Sequence, residues 1–251
     1  MVKSVLVTGS ARRIGRQIAL DLAADGWDVA VHCNTSIGEA GDVARLIERG
    51  GRKAVVVRGD LSEPAVPERL IVEASRALGG ITCLINNASV FEPDVVGAIT
   101  QSSWAQHLDT NLRAPVFLSQ AFARQLPRAA DGNIISIIDQ RVWKLTPKFF
   151  SYTASKSALW TATRTLAQAL APRIRVNAIG PGPALPSVRM DDDEFAKQSR
   201  LTLLGHGTSP TEISAAVKFI LSQPALTGQM IVLDGGQHLV WQTPDVTEVN
   251  E

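Results

Sequence analysis

The chain is poor in the residues that build staples, metal sites and membrane spans. Its 251 residues include two cysteines, Cys33 and Cys83, far apart and without a CxxC pair, so neither a disulfide framework nor a thiolate metal site is expected. The histidines His32, His107, His206 and His238 never fall at zinc-motif spacing, and no metal is expected. An excess of one charge is also missing. Lys and Arg number 25 against 24 Asp and Glu, a net of +1, which gives no electrostatic reason to expect nucleic acid or an anionic membrane as partner. No apolar run approaches the ~18 residues of a membrane helix. The opening MVKSVLVTGS is interrupted at Thr8 and Gly9, too soon for a signal segment. Without linker, repeat or low-complexity tract, residues 1–251 read as one domain, with reduced thiols and a cytoplasmic location expected.

What is present is alternation. Apolar runs of strand length at 4–8, 28–33, 53–58, 82–87, 133–139, 174–179 and 229–234 are separated by stretches of helical period beginning near Arg13, Ser36, Pro64, Gln101, Ser151 and Pro210. Several runs are apolar on both faces, as strands covered by helices on each side must be. The pattern predicts an α/β fold, a Rossmann-type doubly wound sheet of seven parallel strands. Only 181–210 lacks a clear element, and about 183–206 of it is expected to be a substrate loop.

The first strand runs into TGSARRIG, which puts Gly9 and Gly15 in a strand-to-helix turn where free amides can face a pyrophosphate. Arg12 and Arg13 stand at the positive end of that helix, an unfavourable placement unless an anion is bound. An NAD site needs an acid at the end of the second strand. Here that strand ends VHCNTS, and Asn34, Thr35 and Ser36 with Arg12 favour NADPH and its 2′-phosphate. In SYTASK, Tyr152 and Lys156 lie at i and i+4, on one face of a helix. Tyr152 is the chain's single tyrosine.

TGxxxRxG, with Arg13 where such turns usually carry glycine, resembles the short-chain dehydrogenases/reductases, and the arginine variant resembles their pteridine reductases. The resemblance covers nearly the whole chain. It implies that Ile14 joins Gly9, Arg12, Arg13 and Gly15 at the cofactor, that Asp60 and Leu61 contact the adenine, and that the NNAS segment, with Asn87, Ala88 and Ser89, lies under the adenosine ribose. For Asp60 a local reading, a helix N-cap near Leu61 and Ser62, holds equally well. Thr35 departs from the basic residue common in pteridine reductases, leaving Arg12 and Ser36 for the 2′-phosphate.

Family members usually have Ser thirteen residues before the tyrosine, and here the count falls on Asp139. Asn111 matches the helix asparagine that supports a water link to the lysine, and Pro181 and Gly182 match the turn over the nicotinamide. Phe91 matches the aromatic that stacks the pterin, Arg13 is implied to contact the pterin ring, and Leu185, with Pro186 and Val188, falls near the substrate. Tetramers are common in the family, so a homotetramer is expected, with the tail 238–251 reaching a neighbouring subunit.

Asp139 separates the substrates by physics. A carboxylate donates no hydrogen bond and repels the alkoxide that forms from a ketone, whereas it favours an N–H or a protonated C=N. Its charge should also hold the Tyr152 phenol in its protonated form against the pull of Lys156. The expected activity is NADPH-dependent C=N reduction of a dihydropterin or dihydrofolate-like pteridine, with Tyr152, Lys156, Asp139 and Asn111 as the catalytic set. Two other readings stand beside it. One is a carbonyl reductase of 3-oxoacyl, sugar or steroid ketones using Ser136 or Ser89, and the other is an NADP(H)-binding module without turnover.

Overall fold

In the computed structural model, which describes residues 3–187 and 189–247, the apolar runs become β1 (Ser4–Val7), β2 (Asp28–Cys33), β3 (Ala54–Arg58), β4 (Cys83–Asn86), β5 (Gly132–Ile137), β6 (Ile174–Pro181) and β7 (Met230–Leu233). All pair in parallel, in the order β3-β2-β1-β4-β5-β6-β7. Every residue of β1, β2 and β4 is buried, because helices cover both faces.

The strand pleat assigns alternate residues to two cores. Val5, Val7, Val29 and Val31 face the layer containing α1 (Arg13–Ala24), α2 (Ile37–Arg49) and, late in the chain, Pro210–Ser222. Leu6, Ala30 and Leu84 face the opposite layer, which contains α3 (Val66–Leu78). The helices form because their apolar residues recur at helical spacing. In α2, Ala40, Val43, Ala44 and Ile47 make one buried stripe, and in α3 Val66, Leu70, Ile71, Ala74 and Leu78 make another. On that second layer, α4 (Gln101–Leu108) passes through a π turn, Asp109–Arg113, into α5 (Ala114–Gln125), whose Phe122 is fully buried. The long α6 (Phe150–Leu170) follows β5.

The structure corrects the sequence reading at several boundaries. The segment expected to be loop contains α7 (Asp192–Arg200), which has no buried residue and therefore no apolar stripe to betray it. Its signals are polar: Asp191 caps Glu194 N–H, acids fill the first turn, and Lys197 and Arg200 close the last. The helix after Ser209, α8 (Pro210–Ser222), carries a reciprocal cap between Ser209 and Glu212. Strand β5 stops at Ile137 rather than 139, since Asp139 turns the chain by accepting the Arg141 N–H at 2.8 Å. Asp60 is not a helix N-cap, because α3 starts only at Val66. Its carboxylate instead takes the Ser62 N–H and hydroxyl within a turn. Between β1 and β4 the strand order reverses, so the loops leaving their C-terminal ends diverge and open a crevice.

Candidate active site

Two adjoining cavities, of about 450 and 520 Å³, open along that crevice, one toward β2 and β3 and the other toward β5 and β6.

The β2 side is built from backbone. Gly9 sits at φ +63, the left-handed region that glycine enters without strain, and a Cβ there would press on Ala88. A Cβ on Gly15 would lie 2.4 Å from both the Asn87 side chain and the Gly9 carbonyl oxygen. Helix α1 begins with no side-chain cap and no acid in its first turn, and Arg12, Arg13, Ile14 and Gly15 line the cavity. This is a cradle with uncapped amides and two cations, and it fits a dinucleotide's pyrophosphate. Thr8 ties the two strand ends by receiving the Asn87 and Ala88 N–H groups at 2.9 and 3.0 Å on its hydroxyl oxygen. Asn34, Asp60, Leu61 and Ser89 complete the wall. The Ser62 hydroxyl and amide hold the Asp60 carboxyl below its usual range.

His32 was missed by sequence reading. Its Nδ1 accepts the Gly9 N–H at 3.0 Å and its other ring nitrogen lies 3.0 Å from the Gly59 carbonyl, so one neutral ring links the ends of β1, β2 and β3. Burial pushes its pKa down to about 4. No periodicity could reveal a histidine whose partners are backbone atoms of other strands.

The 2′-phosphate candidates are arranged differently from expectation. Arg12 is ion-paired with Glu39 of α2, both groups largely exposed. Such a pair contributes little and can be exchanged for a phosphate. Ser36 precedes α2 without making a capping bond, and Thr35 does not line the cavity. Arg58, at the end of β3, donates to the Asn34 carbonyl at 3.1 Å and brings a cation to this corner from the neighbouring strand.

Arg13 has φ +54, so the position that usually carries glycine is left-handed here too. A side chain there costs on the order of 1 kcal/mol. Its guanidinium spans the crevice and donates to the Pro186 and Leu185 carbonyls at 2.9 and 3.5 Å. The phosphate turn is thereby fastened to the loop beyond β6.

The β6 side holds titratable groups. Tyr152, at the start of α6, donates its hydroxyl to Asp139 Oδ2 at 2.8 Å, and Lys156, one turn on, donates to the Ile137 carbonyl at 2.8 Å. Burial, with the Asp139 charge, pushes the phenol well above its ordinary pKa of 10. Burial also raises Asp139 and lowers Lys156 to about 8. Ser136 does not enter this group. It is buried within β5, opposite Asn86 of β4.

Asn111 lies in the π turn and bonds to Val90 N–H and C=O, the Ser89 hydroxyl and the Ser155 hydroxyl, which pins the loop after β4 against α6. Phe91, from that loop, meets Tyr152 edge-on at 4.6 Å and stacks on Phe149 at 4.3 Å. Arg141 and Arg189 lie over the same aromatic pair, and none of Phe149, Arg141 and Arg189 stood out in the sequence. Pro181, Gly182 and Leu185 line the far wall, where a Cβ on Gly182 would meet Asp234 at 2.6 Å. Val188 and the tail residues 248–251 lie outside the described residues. Among the described residues no cluster of His, Cys, Asp or Glu could hold a metal, and no helix is long and apolar enough to cross a membrane.

Similarity to known proteins extends along nearly the whole chain. A crystal structure described as FolM alternative dihydrofolate reductase 1 from Brucella suis, in complex with NADP, is 50% identical with TM-score 0.95, covering 98% of this chain and 100% of that one. Its counterpart from Brucella canis, complexed with NADP, is 48% identical with TM-score 0.93, covering 98% of each chain. The 3-oxoacyl-[acyl-carrier-protein] reductase FabG of Staphylococcus epidermidis is 31% identical over 247 residues, 95% of this chain and all of the relative. The family model for short chain dehydrogenases matches residues 3–197, and the chain belongs to that family.

Proposed function

We propose that this protein is an NADPH-dependent reductase of a pteridine, acting on the C=N bond of a dihydropterin or dihydrofolate-like substrate. The observation that carries the reading is the Tyr152–Asp139 hydrogen bond, a carboxylate held where the family usually places a serine hydroxyl. The FolM structures, similar along their whole length, support it.

When bound, NADPH supplies the hydride. Gly9, Ile14, Gly15 and Arg13 would hold its pyrophosphate, Asp60 and Leu61 the adenine, Asn87, Ala88 and Ser89 the ribose, and Arg12, Asn34, Thr35 and Ser36, with Arg58, the 2′-phosphate. Pro181 and Gly182 would border the nicotinamide. Phe91 offers a flat wall to the pteridine, with Arg13 and Leu185 at its edges. Tyr152 keeps its proton because Asp139 and burial oppose ionisation, and delivers it to the substrate nitrogen as the adjacent carbon is reduced. Asp139 steadies the N–H that forms, a role a carboxylate fills for nitrogen and not for an alkoxide. Lys156, with Nζ 5.7 Å from the phenol ring centre, offsets the charge left on Tyr152. Asn111 positions the Ser89–Val90 backbone beside them. The segment 183–206, α7 included, would border the substrate as part of a single domain.

A second reading, a 3-oxoacyl or other ketone reductase, draws support from the FabG relative. NADPH consumption with 7,8-dihydrobiopterin, dihydromonapterin and dihydrofolate, beside a 3-oxoacyl ester, separates the two. Turnover of the ester alone would overturn the pteridine reading. A cytoplasmic homotetramer is part of the proposal, supported by exposed Phe219, Leu239 and Trp241, which a partner subunit can cover.

A further inference from the structure

The cavity over Tyr152 is lined by Arg13, Arg141, Lys156 and Arg189 against a single acid, Asp139. Three of these cations are engaged by the protein. Arg13 binds the Leu185 and Pro186 carbonyls, Lys156 the Ile137 carbonyl, and Arg189 the Glu92 carboxylate at 2.8 Å. Arg141 differs. It takes part in no ion pair among the described residues, and its one side-chain acceptor is the Thr146 hydroxyl at 3.3 Å. It is its backbone N–H, not its guanidinium, that bonds Asp139. The guanidinium rests half-buried, 5.9 Å from the Phe91 ring centre and 5.2 Å from that of Phe149.

Phe91 touches Tyr152 and Phe149 stacks on Phe91, so the aromatic pair leads away from the reacting centre toward Arg141. A flat ring laid along that pair, with its C=N at Asp139 and Tyr152, extends its substituent toward the guanidinium. The Arg141 charge is felt by Asp139, but its guanidinium bonds no carboxylate among the described residues, and a half-buried cation so placed, facing a substrate cavity, can take an anion. Resting on the pteridine reading, we propose that Arg141 is a specificity-determining residue that binds a negative charge on the substituent of the pteridine. The preferred substrates are then reduced pteridines with a carboxylate- or phosphate-bearing tail rather than a neutral one.

The test compares kcat/KM for dihydrofolate, dihydroneopterin monophosphate and neutral dihydrobiopterin in the native enzyme, Arg141→Gln and Arg141→Lys, at low and raised salt, with NADPH binding as the check on folding. The native enzyme should favour an anionic substrate by about tenfold or more, chiefly through KM, and salt should narrow the gap. Arg141→Gln should collapse the ratio of anionic to neutral substrate, and Arg141→Lys should restore part of it. Preference for one anionic substrate alone identifies the charge as carboxylate or phosphate. Equal use of anionic and neutral pteridines, or a ratio unmoved in Arg141→Gln, overturns the proposal and leaves the pteridine reading standing. Failure of every pteridine to oxidise NADPH overturns both.

Discussion

Toward β2 and β3 the crevice is made of glycines, backbone amides and side chains that hydrogen-bond to one another: Thr8 to the NNAS backbone, His32 to Gly9 and Gly59, Asp60 to Ser62. Toward β5 and β6 its floor is Asp139, Tyr152 and Lys156, each moved from its ordinary pKa chiefly by burial, with the Asp139 charge adding to the shift of Tyr152. The first region is specified by shape, since an added Cβ closes it. The second is specified by charge, since isosteric changes that keep the shape alter what it can do. Binding and chemistry should therefore fail separately.

The sharpest separation is Tyr152→Phe. Losing the proton donor should lower kcat by about a thousandfold, within the range for a general acid, while NADPH binding followed by fluorescence titration persists. Retained turnover would remove Tyr152 from the chemistry. Gly15→Val should do the reverse. Its side chain would collide with Asn87 and the Gly9 carbonyl, so NADPH affinity should fall by about a hundredfold, or about 3 kcal/mol. The Tyr152 environment should stay as it is.

That environment can be read directly, because Tyr152 is the chain's single tyrosine and its ionisation dominates the ultraviolet tyrosinate signal. In the native protein the phenol should titrate well above 10. In Asp139→Asn the midpoint should fall while staying above 10, since burial, the larger cause, remains and only the contribution of the carboxylate 2.8 Å from the hydroxyl is removed. An unmoved midpoint would mean that burial alone sets it.

The same division governs what the sequence made legible. The parallel sheet, the glycine turn and the Tyr152–Lys156 pair follow from spacing, since period two, period 3.6 and the i, i+4 rule are local properties. Asp139 was reached by counting from Tyr152, although it lies past the end of β5 rather than within it. Helix α7 escaped because it buries nothing and so carries no apolar period. His32, Arg58 and Arg141 escaped for another reason: their roles depend on partners brought together by the sheet and the long loops, and no local pattern encodes those partners.

Lys156→Met tests the charge-built side by stability. Burial lowers Lys156 from 10.5 to about 8, so folding favours the neutral amine. Stability rises with pH between 8 and 10.5, and the cost of the buried ammonium is fully present below 8. At pH 7 the methionine variant should be more stable by roughly 1–2 kcal/mol in denaturant titration, after loss of the bond to Ile137, and should be inactive. It should also lack the native protein's gain above pH 8. A destabilised variant would show that the bond to Ile137 outweighs burial.

His32 provides the matching test on the shape-built side, with a smaller effect. Its folded pKa of about 4 lies below the ordinary 6.5, so its neutral form is favoured by folding, and the stability this gives is present above 6.5 and is lost as pH falls toward 4. At pH 5.5 the loss should be about 1 kcal/mol relative to pH 7.5, because the unfolded chain's imidazole is then largely protonated while the folded one stays neutral and keeps accepting the Gly9 N–H. His32→Asn can still accept that N–H but does not titrate, so its stability should lack this component between pH 7.5 and 5.5. An identical acid profile in both proteins would place the titrating group elsewhere and leave His32 as a link between strands whose protonation state does not matter.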